Sequence, residues 1–189
     1  MPSMNPNQIR VAGNGRILVA PIGTEGPADT TAEWGPDWAD LGYTSGDGVK
    51  FGRKEKVTHV DTWQSVGPAR FIYADRDLTV KFGMLQFNSD TVPLYFGGGK
   101  VEETAPDSGV YRYDVASDPA PDERALGLEF TDGAEVVYRF IIPRGQVNET
   151  DEVEMNRKGS LKLGVTFMAM GLDGETPLAT WILKDPSFA

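Results

Sequence analysis

The sequence predicts a mainly β protein, an antiparallel β-sandwich or partial barrel with one short flanking α-helix, and three observations carry that prediction. Residues 75–87 and 160–170 alternate apolar and polar side chains with a period of two, which is the pattern of strands with one dry and one wet face. Residues 126–130 and 136–142 are apolar runs joined through Asp132-Gly133, a pair suited to the positive φ angles of a hairpin turn. Only residues 88–97 read as a helix.

The chain has 189 residues and 40% apolar content, enough for one substantial core. A single domain is expected, with residues 1–38 forming an N-terminal arm that carries one strand and residues 39–189 forming the β domain proper. The net charge of -10 argues against phosphate-gripping nucleic-acid binding as the main activity. There is no cysteine, so no disulfide framework, no thiolate metal site and no thiol nucleophile is available. Residues 1–10 contain no apolar run and no stretch approaches the roughly 20 apolar residues of a membrane span, so a soluble, cytosolic starting point is expected and no membrane partner.

Residues 1–38 are rich in Gly, Pro, Asn and Asp around one strand, Arg16 to Ala20, that stops at Pro21. Such a segment suits an arm crossing its own surface or a neighbour's, with Trp34 and Trp38 as anchors. From Val49 the alternation resumes: Val49, Phe51, Arg53, Glu55 and Val57 share one face, and Lys50, Gly52, Lys54 and Lys56 the other. A second run, 59–66, follows without a clear tight turn, and either a long hairpin or an extended loop results, the hairpin being favoured. In 75–87, Leu78, Val80, Phe82 and Met84 oppose Asp77, Thr79, Lys81 and Gly83.

The helix is expected to start with Ser89 or Asp90 as its cap, to tolerate Pro93 in its first turn and to stop at Gly97. After the Asp-Gly hairpin, Pro143 is expected to end the strand. An acidic stretch spans 149–154, a two-faced strand 160–170, and an apolar run 177–183 closes the chain. No internal repeat is present, which argues against a solenoid or propeller.

Catalytic chemistry finds little support. His59 is the only histidine, and its neighbour Asp61 two positions on merely shares its face. Glu149, Asp151, Glu152 and Glu154 lack the ligand spacing of a calcium loop, and Gly13-Asn14-Gly15 precedes a strand where a phosphate loop would follow one. Neither catalytic residues, nor a metal site, nor a cofactor is expected. Trp34, Trp38, Trp63 and Trp181 are expected as anchors at a core or subunit seam. The alternative is a carbohydrate-binding module in which these tryptophans form a sugar-stacking face.

Several short motifs occur together in order. They are Gly42-Tyr43-Thr44-Ser45 leading to Asp47-Gly48-Val49-Lys50-Phe51, then Asp61-Thr62-Trp63-Gln64-Ser65, then 88–99 with Thr91-Val92-Pro93-Leu94 and Gly97-Gly98-Gly99. Ile142-Pro143-Arg144-Gly145 and Leu161 to Phe167 follow. From about residue 40 to 167 the chain resembles the major tail tube proteins of long-tailed bacteriophages, particularly those of actinobacterial phages.

The resemblance implies hexameric rings that stack into a tube, a virion tail location after assembly in the host cytoplasm, and passage of DNA through a lumen without specific binding. It implies the chain itself, the tail terminator, the tape measure and baseplate or tail-tip proteins as partners. Under that reading Asp77, Thr79, Lys81, Lys162 and Thr166 line the lumen, whose potential is expected to be negative or near neutral. Asp47, Lys50, Arg53, Lys54, Glu55 and Lys56 form a loop to the adjacent ring, and deleting residues 46–56 is expected to leave a folded protein that does not polymerise.

Overall fold

In the computed structural model, which describes residues 4–118 and 120–188, one antiparallel sheet curls into a partial barrel around a single main core. Its strands are β1 (Asn14–Pro21), β2 (Ala39–Asp40), β3 (Lys50–Thr62), β4 (Ser65–Met84), β7 (Arg124–Asp132), β8 (Val136–Thr150), β9 (Leu163–Ala169) and β10 (Thr180–Lys184). The helix α1 (Thr91–Phe96) and a two-stranded ribbon, β5 (Glu102–Glu103) with β6 (Tyr111–Arg112), lie between β4 and β7.

β8 organises the sheet. β7 pairs along one of its edges, while β10 and β9 divide the other, β10 taking residues 137–141 and β9 residues 145–150. Pro143 sits at the handover, inside the strand, although the sequence predicts the strand's end there. A register shift against β7 falls between Leu126 and Arg124, and a bulge is where a missing N–H does least harm. β1 extends the sheet from β7 and β4 extends it from β9. Residues 39–45 then cross the gap between these outer strands: Leu41 N–H donates to Ile17 O, Ser45 N–H to Gly83 O, and Thr44 bridges Met84.

The alternation read in the sequence becomes the core. Val80, Phe82 and Met84 of β4 meet Leu163, Val165 and Phe167 of β9 and Ile17, Val19, Leu126, Leu128, Phe140 and Ile142 from the opposite wall, with Leu41 and Leu94 closing the ends. At about 25 cal/mol per Å² of apolar area, this burial is the main driving force for the fold.

Two predicted end signals move. The helix is capped by Asn88, whose Oδ1 accepts the N–H groups of Asp90 and Thr91 at 2.9 Å each, whereas the Asp90 side chain makes no cap bond. Gly97 ends it in the left-handed region (φ 87°), as expected. The hairpin loop spans three residues, 133–135, since Asp132 pairs directly with Val136 and only Gly133 takes a positive φ.

Candidate functional site

Antiparallel register decides which residues share a surface, because directly opposed residues point to the same side. Lys81 lies opposite both Lys50 and Thr166, Thr79 opposite Gly52 and Met168, and Asp77 opposite Lys54. Thr166 in turn faces Glu149 of β8. One polar face therefore crosses β3, β4, β9 and the end of β8, and it brings together Asp77, Thr79, Lys81, Lys162 and Thr166. Lys50 and Lys54, expected in a separate loop, belong to the same face.

That face is balanced in charge. Lys81 Nζ donates to Asp151 Oδ1 at 2.6 Å, and Lys162 Nζ donates to Asp47 Oδ2 at 3.0 Å. The second contact holds the Asp47 carboxyl below its ordinary range and Lys162 above its own. Lys50 joins them around a shallow cup of about 240 Å³. Lys54 and Lys56 stand in register with Asp77 and Asp75. Asp151, from the acidic stretch, is thus a lysine partner, and among the described residues no group of three or more His, Cys, Asp or Glu is placed to hold a metal.

Residues 50–56 are strand, not loop. They pair with 75–81 of β4, and Phe51 packs edge-on against Phe140 (5.1 Å between centroids) and against Trp181 (5.5 Å). Removing 46–56 would leave residues 75–78 of β4 without a pairing strand and expose this aromatic cluster, so unfolded protein is the expected outcome in place of a folded monomer. Arg53 and Glu55 lie on the opposite face from Lys54; Glu55 is shared by Arg76 at 2.9 Å and Arg53 at 3.9 Å.

Beyond Thr79, β4 leaves β9 and continues with β3 alone as a two-stranded arm. From the Arg53–Leu78 pair to the Thr62–Ser65 pair it runs about ten residues, or roughly 34 Å. The run 59–66 is the end of this hairpin, with Trp63 fully exposed (99%) at the turn. Val57, Val60, Val66, Phe71, Ile72 and Tyr73 are also exposed along it. The outer edge of β3 has no neighbouring strand among the described residues. His59 sits on this arm opposite Phe71, 3.6 Å from Asp61, with both side chains open to solvent.

The tryptophans do not assemble into a sugar-stacking face. Trp34 and Trp38 meet edge-on at 4.8 Å on one side of the sheet over Gly127, where a side chain would collide with both rings. They anchor the chain's own segment 22–38, and Trp38 is buried there, its indole N–H donating to Glu25 O at 3.0 Å. Trp181 packs on the other side with Phe140, and Trp63 stands alone at the arm tip.

Two polar clusters are absent from the sequence reading. Arg139, buried in β8, donates from Nε to Glu129 Oε2 at 2.5 Å and from Nη1 to Asp29 O and Ala32 O at 2.6 Å each, with its guanidinium 5.5 Å from the Trp34 ring centre. Burial pushes the Glu129 carboxyl up, but hydrogen bonds from Trp34 and Arg139 outweigh it and lower the pKa. The available signal was a lone charge in the apolar run 136–142. The second cluster clasps the termini: Asp185 accepts from Arg10, Tyr138 and the Ser187 N–H.

Asp185 is held far below the usual carboxylate range, chiefly by the Arg10 hydrogen bond, and Glu123 is lowered by Arg144. A depressed folded-state pKa gives stability that is complete above the unfolded value, about 4, and that is lost as pH falls toward the folded one. Melting temperature is therefore expected to fall steeply from pH 5 to pH 2, and Asp185→Asn to flatten that slope while lowering stability at pH 7. Parallel melting curves for the two proteins across this range would refute the assignment.

Among curated proteins none matches the sequence. The sequence model of the family described as phage tail tube protein matches residues 2–189, nearly the whole chain, and the chain therefore belongs to the phage tail tube protein family.

Proposed function

We propose that the chain is a structural, non-catalytic virion subunit that closes into rings, six to a ring, which stack into the tail tube that conducts the genome to the host. The observation that carries this is the unpaired outer edge of β3 beside a polar, charge-balanced face. An exposed edge invites pairing with another chain, and a head-to-tail contact that repeats by rotation closes a ring while axial contacts stay open-ended.

In the tube Asp77, Thr79, Lys81, Lys162 and Thr166 line the lumen, joined by Lys50 and Lys54. Lys50, Lys54, Lys56, Lys81 and Lys162 are matched there by Asp47, Asp75, Asp77, Glu149 and Asp151. Each phosphate neutralised by a lysine adds affinity through counterion release, so a bore without surplus positive charge lets duplex DNA slide. The arm reaches between rings, with Arg53, Glu55 and Lys56 at its root. Trp63 and Trp181 remain available to a seam; Trp38 is not. The tail terminator, tape measure and tail-tip proteins are the partners at the tube's ends, and assembly takes place in the host cytoplasm.

Negative-stain electron microscopy of the concentrated purified protein tests this. Tubes with a stain-filled axial channel are expected. A protein that stays monomeric at every concentration and in the presence of preformed tail ends would overturn the proposal.

A further inference from the structure

The arm's two faces differ. On one, Phe51 and Val80 lie over the core, and the same face continues outward through Arg53 and Leu78 to Val57 opposite Tyr73 and His59 opposite Phe71. Beyond Leu78 none of the described residues covers it: Phe71 is 57% and Tyr73 70% exposed. A core-facing surface that runs on past its core, through Arg53, Glu55 and Arg76 to an exposed patch of Val57, Phe71 and Tyr73, is built for contact with another body. At its root, Arg53 and Arg76 share the single carboxylate of Glu55 and leave surplus positive charge. Over residues 50–76 there are six basic residues against three acidic in a chain of net charge -10.

The complementary surface lies between α1 and the β5–β6 ribbon. Phe87, Val92, Val101, Tyr111 and Tyr113 line a groove of about 470 Å³ whose walls are mainly apolar. Gly97-Gly98-Gly99 creates it. All three residues take positive φ (87°, 99° and 91°), a run that residues with side chains rarely adopt, and this turns the chain back so that the ribbon lies beside the helix. Tyr113 then packs on Gly99 and donates its hydroxyl to Gly98 O at 2.5 Å, which fixes one wall. Residues 88–122 carry seven acidic residues against two basic, and among them Glu103 stands opposite Tyr111 on the ribbon face that the groove occupies.

We propose that the Val57, Phe71 and Tyr73 face of one copy's arm seats in the α1/β5–β6 groove of a second copy, with Arg53 and Arg76 placed against Glu103. This rests on the self-assembly reading and assigns it a receptor site. Burying aromatic side chains supplies the affinity, and the opposed charges fix orientation and exclude the reverse docking.

The test places a photo-crosslinking benzoyl-phenylalanine at Tyr73 in a mixture of isotopically light and heavy protein, irradiates the assembled tubes, and maps linked peptides by mass spectrometry. Light-to-heavy links from position 73 to residues 87–113 are expected. Tubes whose links fall elsewhere, or only within one copy, overturn the groove while leaving self-assembly intact; unmodified protein that forms no tubes overturns both.

A charge exchange gives an independent readout. Glu103→Lys is expected to raise the critical concentration for tube formation about tenfold, and adding Arg53→Glu with Arg76→Glu to restore it. Failure of the added pair to restore assembly in a folded protein counts against the proposal.

Discussion

Excising residues 57–74 and joining Lys56 to Asp75 through Asn-Gly is expected to leave a folded monomer that forms no tubes. Lys56 and Asp75 are register partners, so a two-residue turn of the type that matches strand twist can close the shortened hairpin at that pair. Everything that holds the root of the arm stays: Phe51 against Phe140 and Trp181, and the pairing of residues 50–56 with 75–81. The excised residues are solvent-exposed throughout, so little intramolecular burial is lost.

What disappears is the aromatic surface of Phe71, Tyr73 and Trp63. Interface aromatics at hot spots contribute about 2 kcal/mol or more each, and about 1.4 kcal/mol is a factor of ten, so assembly should weaken roughly a hundredfold or more. Circular dichroism and sedimentation velocity separate the outcomes. Tubes from the shortened protein at wild-type concentration would remove the arm from the assembly mechanism. By contrast, deletion of 46–56 should yield aggregated or unfolded protein, because it takes Phe51 and the strand that pairs with residues 75–78 of β4.

Arg139→Met should produce the largest loss of stability from a single substitution. Arg139 is 5% exposed and satisfies the Glu129 carboxylate together with the carbonyls of Asp29 and Ala32. Methionine fills much of the volume but donates nothing, so the carbonyls of Asp29 and Ala32 lose their donor and Glu129 is left with the Trp34 indole and the half-exposed Arg16. Breaking a buried pair from one side costs about 3–5 kcal/mol. For a chain of this length that corresponds to a fall in melting temperature of about 6–20 °C.

The damage should also be local. Residues 25–38 are held by the two carbonyl contacts and by Trp34 and Trp38, and limited proteolysis should cut there first in the variant. Adding Glu129→Gln removes the under-compensated charge while keeping an acceptor for Arg16 and Trp34, and should recover part of the loss. An Arg139→Met protein that melts within 2 °C of wild type, with residues 25–38 still protected, would show that the network contributes nothing.

The two-faced strands were legible because alternation is a property of local backbone geometry. Leu78, Val80, Phe82 and Met84 point inward, as do Leu163, Val165 and Phe167, and the hairpin through Gly133 and the Gly97 helix stop form where their residues dictate. The helix begins directly after Asp90, as the sequence predicts, but its free N–H groups go to Asn88, because Asn88, Ser89 and Asp90 are all competent caps and only the path of the chain leaving β4 decides which side chain reaches them. Pro143 was misread as an end because a bulge tolerates proline as well as a terminus does, and nothing in the neighbouring residues distinguishes the two.

Where the assembly features lie was less legible. Lys50 and Lys54 carry the same charge pattern whether they sit in a loop or on a strand, and they joined the face of Asp77 and Lys81 only through pairing across the hairpin. Trp34 and Trp38 looked equally able to hold a neighbour or their own chain; Gly127, about ninety residues away, supplies the flat site that decided it.

By itself, then, the sequence determined which segments become strands and helix, which side of each is dry, that there is no cysteine for a disulfide or thiolate, and the order of motifs that marks the family. Those depend on neighbours a few residues apart. Only the tertiary structure decided which wet faces merge into one surface, that the β3–β4 hairpin outruns its core, and that Arg139 and Asp185 are buried in networks. These are set by contacts between residues tens to more than a hundred and fifty positions apart, and side-chain chemistry along the chain carries no record of which distant partner satisfies it.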